Sequence, residues 1–112
     1  MSENRLNAYR IMWLFVFFDL PVMTKPERHT ATHFRKFLEK DGFSMMQFSV
    51  YIRHCASKDS AEVHISRIRN NIPEKGQVSI LTVTDKQYGE ILNYWGCKSN
   101  PLGEAPKQLE LF

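Results

Sequence analysis

Cysteine, glycine and long apolar runs are all scarce in this chain, and each scarcity removes a class of protein. Two cysteines, Cys55 and Cys97, occur in 112 residues. They form no Cys-x-x-Cys pair, so reduced intracellular thiols fit better than a disulfide framework. His54-Cys55 offers half a metal site, but no second pair stands at ligand spacing. The five glycines are scattered, which leaves no Gly-rich loop to cradle a phosphate. The longest apolar run, Ile11–Phe18, is eight residues, under half of the roughly 20 that a membrane helix needs. No small-residue cleavage site follows it, so no signal peptide is expected. A cytoplasmic protein with no membrane partner is the expectation. Internal repeats and low-complexity blocks are absent as well.

What is present begins with that apolar run. Ile11-Met12-Trp13-Leu14-Phe15-Val16-Phe17-Phe18 ends abruptly in Asp19-Leu20-Pro21. Its length and its β-branched and aromatic content predict a strand, which Pro21 cannot continue. Alternation puts Ile11, Trp13, Phe15 and Phe17 on one face and Met12, Leu14, Val16 and Phe18 on the other. Both faces are apolar, so both require cover. Asp19 continues the first row at the strand's carboxyl end, where ligands bind in α/β sheets.

Downstream, Thr24-Lys25-Pro26-Glu27 has the form of a capping box. It predicts a helix to about Asp41 with an apolar stripe of Ala31, Phe34, Phe37 and Leu38, terminated by Gly42. Phe43–Arg53 alternates as one extended segment. Asp59 and Glu62 are expected to cap a second helix with core positions Ala61, Ile65, Ile68 and Ile72, stopped by Pro73. Gln77–Thr84 reads as a strand, Asp85–Tyr88 as a short helical turn, and Ile91–Trp95 as a further strand. Residues 98–106 read as a loose connector to Gln108–Phe112, which alternates like a final edge strand. Residues 1–97 thus form one domain and 98–112 a tail.

Strands alternating with two amphipathic helices describe an α+β two-layer sandwich. Two helices cover only one face of a small sheet. A second copy is the simplest cover for the other, which predicts a two-fold homodimer meeting sheet to sheet. The tail strand would extend the partner's sheet edge.

Five stretches in order resemble the CRISPR-associated protein 2 family, particularly its type II branch. They are Val16-Phe17-Phe18-Asp19-Leu20-Pro21, Phe34-Arg35-Lys36-Phe37-Leu38, Asp41-Gly42-Phe43, Gln47-Phe48-Ser49-Val50-Tyr51 and Ile80–Tyr88. The resemblance implies a ferredoxin-like βαββαβ core, a homodimer and a role in spacer acquisition. In that role the dimer sits between two dimers of the CRISPR-associated integrase and helps hold the incoming DNA duplex, the prespacer. It further implies a metal-dependent endonuclease acting on RNA or DNA, an activity dispensable for integration in part of the family. The family fold also requires a break inside Phe43–Cys55, where the sequence carries no Gly, Pro or Asn turn signal.

Asp19 matches the family's acid at the end of the first strand, which makes it the candidate catalytic residue and magnesium ligand. One carboxylate is a poor magnesium site by itself, but a nearby two-fold axis would supply the partner's Asp19 to a shared Mg2+. The plain alternative is that Asp19 caps the turn into the helix. No second clustered acid or general base is evident, and His29 and His33, one helical turn apart, lack further ligands. Residues 1–75 hold 12 Lys/Arg against 8 Asp/Glu, whereas 76–112 hold 3 against 4. The candidate phosphate contacts are Arg10, Arg28, Arg35, Lys36, Arg53, Lys58, Arg67 and Arg69, each doubled in a dimer. Ordinary solvated surface is the alternative for any of them.

Two other classes compete. An RNA-recognition-motif-like module without catalysis would stack bases on Trp13, Phe15 and Phe17, but its basic-Gly-aromatic signature is missing from Gln77–Thr84. A metabolite-binding regulatory dimer lacks a phosphate cradle. Gln108-Leu109-Glu110-Leu111-Phe112 also resembles the peptide by which bacterial proteins dock on the replication clamp, against the simpler reading as an edge strand.

Overall fold

Met12–Asp19 forms the first strand, β1, and everything else in the fold is placed against it. The computed structural model describes residues 11–96. Arg10, Cys97 and the whole 98–112 tail, with its expected strand at Gln108–Phe112, lie outside the described residues. Helix α1 spans Lys25–Lys40, strands β2 and β3 span Ser44–Gln47 and Val50–Cys55, and helix α2 spans Lys58–Arg69. Strand β4 spans Gln77–Thr84, followed by a short helix, α3, at Asp85–Gly89. The sheet order is β2-β3-β1-β4 and every pairing is antiparallel. This is the ferredoxin-like βαββαβ arrangement, an α+β two-layer sandwich. No helix among the described residues is long and apolar enough to cross a membrane.

The capping box forms as the spacing requires. The Glu27 amide donates to Thr24 Oγ1 at 3.2 Å, and Glu27 Oε1 accepts from the Thr24 amide at 3.0 Å. At the other end Asp41 is the C-cap, and Gly42 takes φ +92°, a conformation that side chains resist. The core lies between α1, α2 and one face of the sheet. Leu14, Val16 and Phe18 of β1 meet Phe34 and Leu38 of α1, Ala61 and Ile68 of α2, and Tyr51 and Cys55 of β3. Burial pushes the Cys55 thiol above its ordinary pKa, so the group behaves as a small hydrophobe rather than a nucleophile.

Four expectations need correction. Phe43–Arg53 is not one strand, because the chain reverses at Phe48-Ser49 between β2 and β3. Long-range contacts hold that turn in place of Gly or Pro chemistry. The Phe18 amide donates to the Ser49 carbonyl at 3.1 Å, and the Arg35 guanidinium lies 4.0 Å from the Phe48 ring centroid. Ile91–Trp95 takes no strand conformation; the chain leaves α3 through a turn in which the Ile91 amide donates to the Tyr88 carbonyl at 3.2 Å. The cap of α2 is Ser57, whose hydroxyl accepts from the Ser60 amide at 3.0 Å, while Asp59 sits in the first turn. Ile72 lies beyond the end of α2 and is exposed. His64 takes a buried place on the inward face instead.

His64 is buried because it has a partner. Its Nδ1 lies 2.8 Å from Asp41 Oδ2, and Arg67 Nη1 lies 2.7 Å from Asp41 Oδ1. Arg53 Nη1 donates to the Asp41 backbone carbonyl at 3.0 Å. A carboxylate at a helix C-terminus opposes the helix dipole, and the Arg67 guanidinium offsets it, while the contacts of His64, Arg67 and Arg53 tie α1 to α2 and β3.

The second face of the sheet is covered only in part. Trp13 stacks on Tyr88 of α3 at 3.7 Å between centroids and donates its indole N–H to Asp85 Oδ1 at 2.7 Å. Phe15 is buried at 6% exposure, with the Tyr88 ring 6.3 Å away. Among the described residues the cover ends beyond them. Phe17 and Leu81 stay 38% and 48% exposed and line, with Val50, Met46 and Ile91, an apolar groove of about 260 Å³. The homodimer expected from the sequence would occupy this remainder.

Candidate functional site

Strand alternation carries the face turned away from α1 and α2 from Trp13 through Phe15 and Phe17 to Asp19, the last residue of β1. Asp19 stands opposite Gln77, the first residue of β4, and Phe17 stands opposite Ser79. These four residues, with Phe18, Ser49 and Val50, line an open cavity of about 340 Å³. The Asp19 side chain is exposed, and no described residue hydrogen-bonds or ion-pairs with it.

The turn into α1 does not need Asp19. Glu27 Oε1 accepts from the Met23 and Thr24 amides at 2.9 and 3.0 Å, and Arg28 Nη1 donates to the Val22 and Met23 carbonyls at 3.1 and 3.2 Å. The Thr24 amide bond in particular holds the Glu27 carboxyl below the ordinary carboxylate range. Lys75 Nζ lies 3.8 Å from Glu27 Oε2 and links this turn to the segment entering β4. The reading of Asp19 as a local cap therefore has no bond to support it. Its carboxylate is left free for an external ligand.

The backbone of Asp19 is fixed tightly. Gly76 adopts φ +93°, and a Cβ there would fall 2.6 Å from the Asp19 carbonyl oxygen and 2.8 Å from Leu20. Only glycine lets the β4 entry approach so closely. Pro73-Glu74-Lys75-Gly76 reads as a turn by its Pro and Gly, but nothing in it says what lies beneath Gly76. Gln77, Ser79 and Ser49 were likewise missed as site neighbours, since their approach to Asp19 depends on strand register and on the unforeseen turn at Phe48-Ser49.

The donors around Asp19 are all oxygen: a carboxylate, two hydroxyls and the amide carbonyl of Gln77. That set suits magnesium, which takes one or two carboxylates and fills its octahedron with water and phosphate. Among the described residues no group of three or more His, Cys, Asp or Glu could hold a metal. His29 and His33 are exposed on α1 and join no such group, and the His54-Cys55 pair is split by strand alternation, His54 exposed and Cys55 buried. One chain thus fits half of a magnesium site.

The candidate phosphate contacts separate into two kinds. Arg28, Arg53 and Arg67 hold backbone or side-chain oxygens of their own chain, and Arg35 lies between the Phe18 and Phe48 rings at 5.3 and 4.0 Å. Lys36 on α1 and Lys58 and Arg69 on α2 are exposed and pair with no described residue. These three lie on the helical layer, while the row that ends in Asp19 belongs to the opposite face of the sheet.

With this geometry in hand, similarity to known proteins becomes interpretable. A family described as CRISPR associated protein Cas2 matches residues 12–91. A protein of Flavobacterium psychrophilum named CRISPR-associated endoribonuclease Cas2 is 53% identical over 97% of this chain and 95% of its own length. A protein of the same name from Parvibaculum lavamentivorans is 50% identical over 90% of this chain and 100% of its own. A solved structure described as the crystal structure of cas2 superposes with a TM-score of 0.56 at 20% identity, covering 91% of this chain and 98% of the other. At that identity the superposition supports the fold.

The close approach at Gly76 yields the first test. Gly76→Ala should lower stability by about 1–3 kcal/mol, because a side chain there is both strained and in collision with the strand end. Urea unfolding measures it, and an unchanged midpoint would remove Gly76 as the support of Asp19.

Proposed function

The chain belongs to the CRISPR-associated protein Cas2 family, and on that premise we propose that it acts in spacer acquisition as a homodimer, holding prespacer duplex DNA for CRISPR-associated integrase dimers. We propose in addition a magnesium-dependent endonuclease site on the same dimer, with RNA as the substrate that the relatives' name supports. A cytoplasmic setting belongs to this reading.

The observation that carries it is the free Asp19 carboxylate, which ends a row whose last aromatic, Phe17, is left exposed beside Leu81. Pairing two chains across that row buries Phe17 and Leu81 and brings two carboxylates toward one axis. Magnesium held by the two carboxylates would supply Lewis-acid polarisation of a phosphodiester and would lower the pKa of the attacking water. This chain's own residues do the holding. Asp19 presents the anionic oxygens, the Gln77 amide and the Ser79 and Ser49 hydroxyls offer hydrogen bonds to sugar or phosphate, and Gly76 keeps the strand end from shifting. Lys36, Lys58 and Arg69 present positive charge on the helical layer, where two copies make a longer basic track for a duplex.

The competing RNA-recognition-motif-like reading needs an open aromatic row. Trp13 is stacked under Tyr88 and Phe15 is buried, so neither offers a face to a base.

Asp19→Ala should lower cleavage by more than the roughly 10–100-fold typical of changes outside the first ligand shell, while spacer integration is largely retained. Loss of integration with the dimer and its integrase contact intact would refute the scaffold assignment. Lys36→Ala and Lys58→Ala should each weaken duplex DNA binding and reduce the slope of log affinity against log salt by about 1 for every phosphate that is no longer neutralised. Arg67→Ala should instead lower the unfolding midpoint, since its guanidinium neutralises Asp41. Equal salt slopes for wild type and both lysine variants would move the DNA elsewhere.

A further inference from the structure

The end of the sheet remote from Asp19 carries another cavity, of about 530 Å³. Strand lengths create it. β2 begins at Ser44, opposite Ile52, whereas β3 runs on through Arg53 and His54 to Cys55. Past Ser44 that edge of β3 meets the chain at Gly42 instead of a strand. A Cβ on Gly42 would collide with the Arg53 guanidinium, so the glycine is what admits the arginine to this corner. Arg53 and Gly42 line the cavity together with Ser44, His54 and the stacked pair of Trp13 and Tyr88.

The polar groups that meet there are donors with capacity to spare. Arg53 gives Nη1 to the Asp41 carbonyl at 3.0 Å and touches the Cys55 thiol, which leaves N–H groups of its five-donor fork over. His54 is exposed, with its ring tilted 68° to that of Trp13 at 5.3 Å between centroids. Neither the His54 imidazole nor the exposed Ser44 hydroxyl hydrogen-bonds with a described residue. Among the described residues no acidic side chain lines the cavity. Asp41, beside Gly42, has its carboxylate oxygens held by His64 and Arg67, and Asp85 accepts the Trp13 indole N–H.

A guanidinium, an imidazole and a hydroxyl with no carboxylate among them select an anion, and the planar fork of arginine matches phosphate oxygens in pairs. We propose that this cavity binds a phosphate monoester group, with Arg53, His54 and Ser44 donating to its oxygens. The space beside Trp13 and Tyr88 takes what the phosphate is attached to. Binding here uses neither Asp19 nor a metal, so it stands apart from the nuclease reading.

The test follows the Trp13 indole N–H and the His54 amide by NMR of the full-length protein, in EDTA and at constant ionic strength. Inorganic phosphate should shift both signals saturably, and chloride should not. Arg53 also serves the fold, so the deciding variants are His54→Ala and Ser44→Asp. His54→Ala should weaken phosphate binding about tenfold, the scale of one lost hydrogen bond to a charged group. Ser44→Asp, which puts a carboxylate in the cavity, should abolish it with the unfolding midpoint kept. Two single-stranded oligonucleotides of one sequence, with and without a 5′-phosphate, distinguish the sources. Tighter binding of the phosphorylated strand supports the site as one for a nucleic-acid terminus; inorganic phosphate binding with the two strands alike supports it as one for a small phosphate compound. A shift that never saturates, or one that survives Ser44→Asp, would overturn the proposal.

Discussion

Water exclusion from both sides of β1 is the constraint from which the rest of the structure follows. A strand in the middle of a four-stranded sheet carries apolar side chains on both faces, and two helices shelter one of them. On that side Leu14 and Val16 are fully buried against the helices and β3. On the other, α3 closes over Trp13 and Phe15 and stops short of Phe17 and Leu81. At about 25 cal/mol per Å² of apolar surface, the uncovered end of this face favours association over exposure. That row ends in Asp19, so the exposed apolar residues Phe17 and Leu81 and the free carboxylate lie toward the same end of the sheet, which is why the proposed dimer and the proposed magnesium site go together.

Positive charge in this chain serves two purposes, and the structure distinguishes them where composition cannot. Arg53 and Arg67 meet the carbonyl and carboxylate of Asp41, with His64 on the other carboxylate oxygen. That cluster closes the C-terminal end of α1 against α2 and β3. Arg28 ties down the turn that follows Asp19. These side chains serve the fold first, and a net charge of +3 therefore overstates the charge free to meet a nucleic acid. The exposed Lys36, Lys58 and Arg69 pair with no described residue and so remain for the proposed phosphate contacts.

Much of the architecture was legible because local chemistry and tertiary demand agree. The Thr24–Glu27 capping box, the stripe of Ala31, Phe34 and Leu38, the left-handed Gly42 and the both-faces-apolar β1 each state their role in sequence. The misses occur where distant residues decide. The Phe48-Ser49 turn has no turn chemistry of its own and is held by Phe18 and Arg35. His64 lies outside the apolar stripe expected for its helix, yet it is buried because Asp41 comes from elsewhere to meet it. Ile91–Trp95 has a strand-like composition but follows the α3 turn without taking a strand conformation. Asp19 was found from its position at the end of an apolar strand; Gly76, Gln77 and Ser79 were not, because only the β1–β4 register brings them beside it.

The central claim is that one chain is half of the functional unit. Light scattering on the full-length protein across a dilution series, coupled to size-exclusion chromatography, addresses it most directly. The account predicts twice the 13.2 kDa chain mass down to low concentration, and a shift to the single-chain mass when Leu81→Glu places a charge on the uncovered face. A stable single-chain mass for the wild type, with Phe17 and Leu81 open to water, would contradict it.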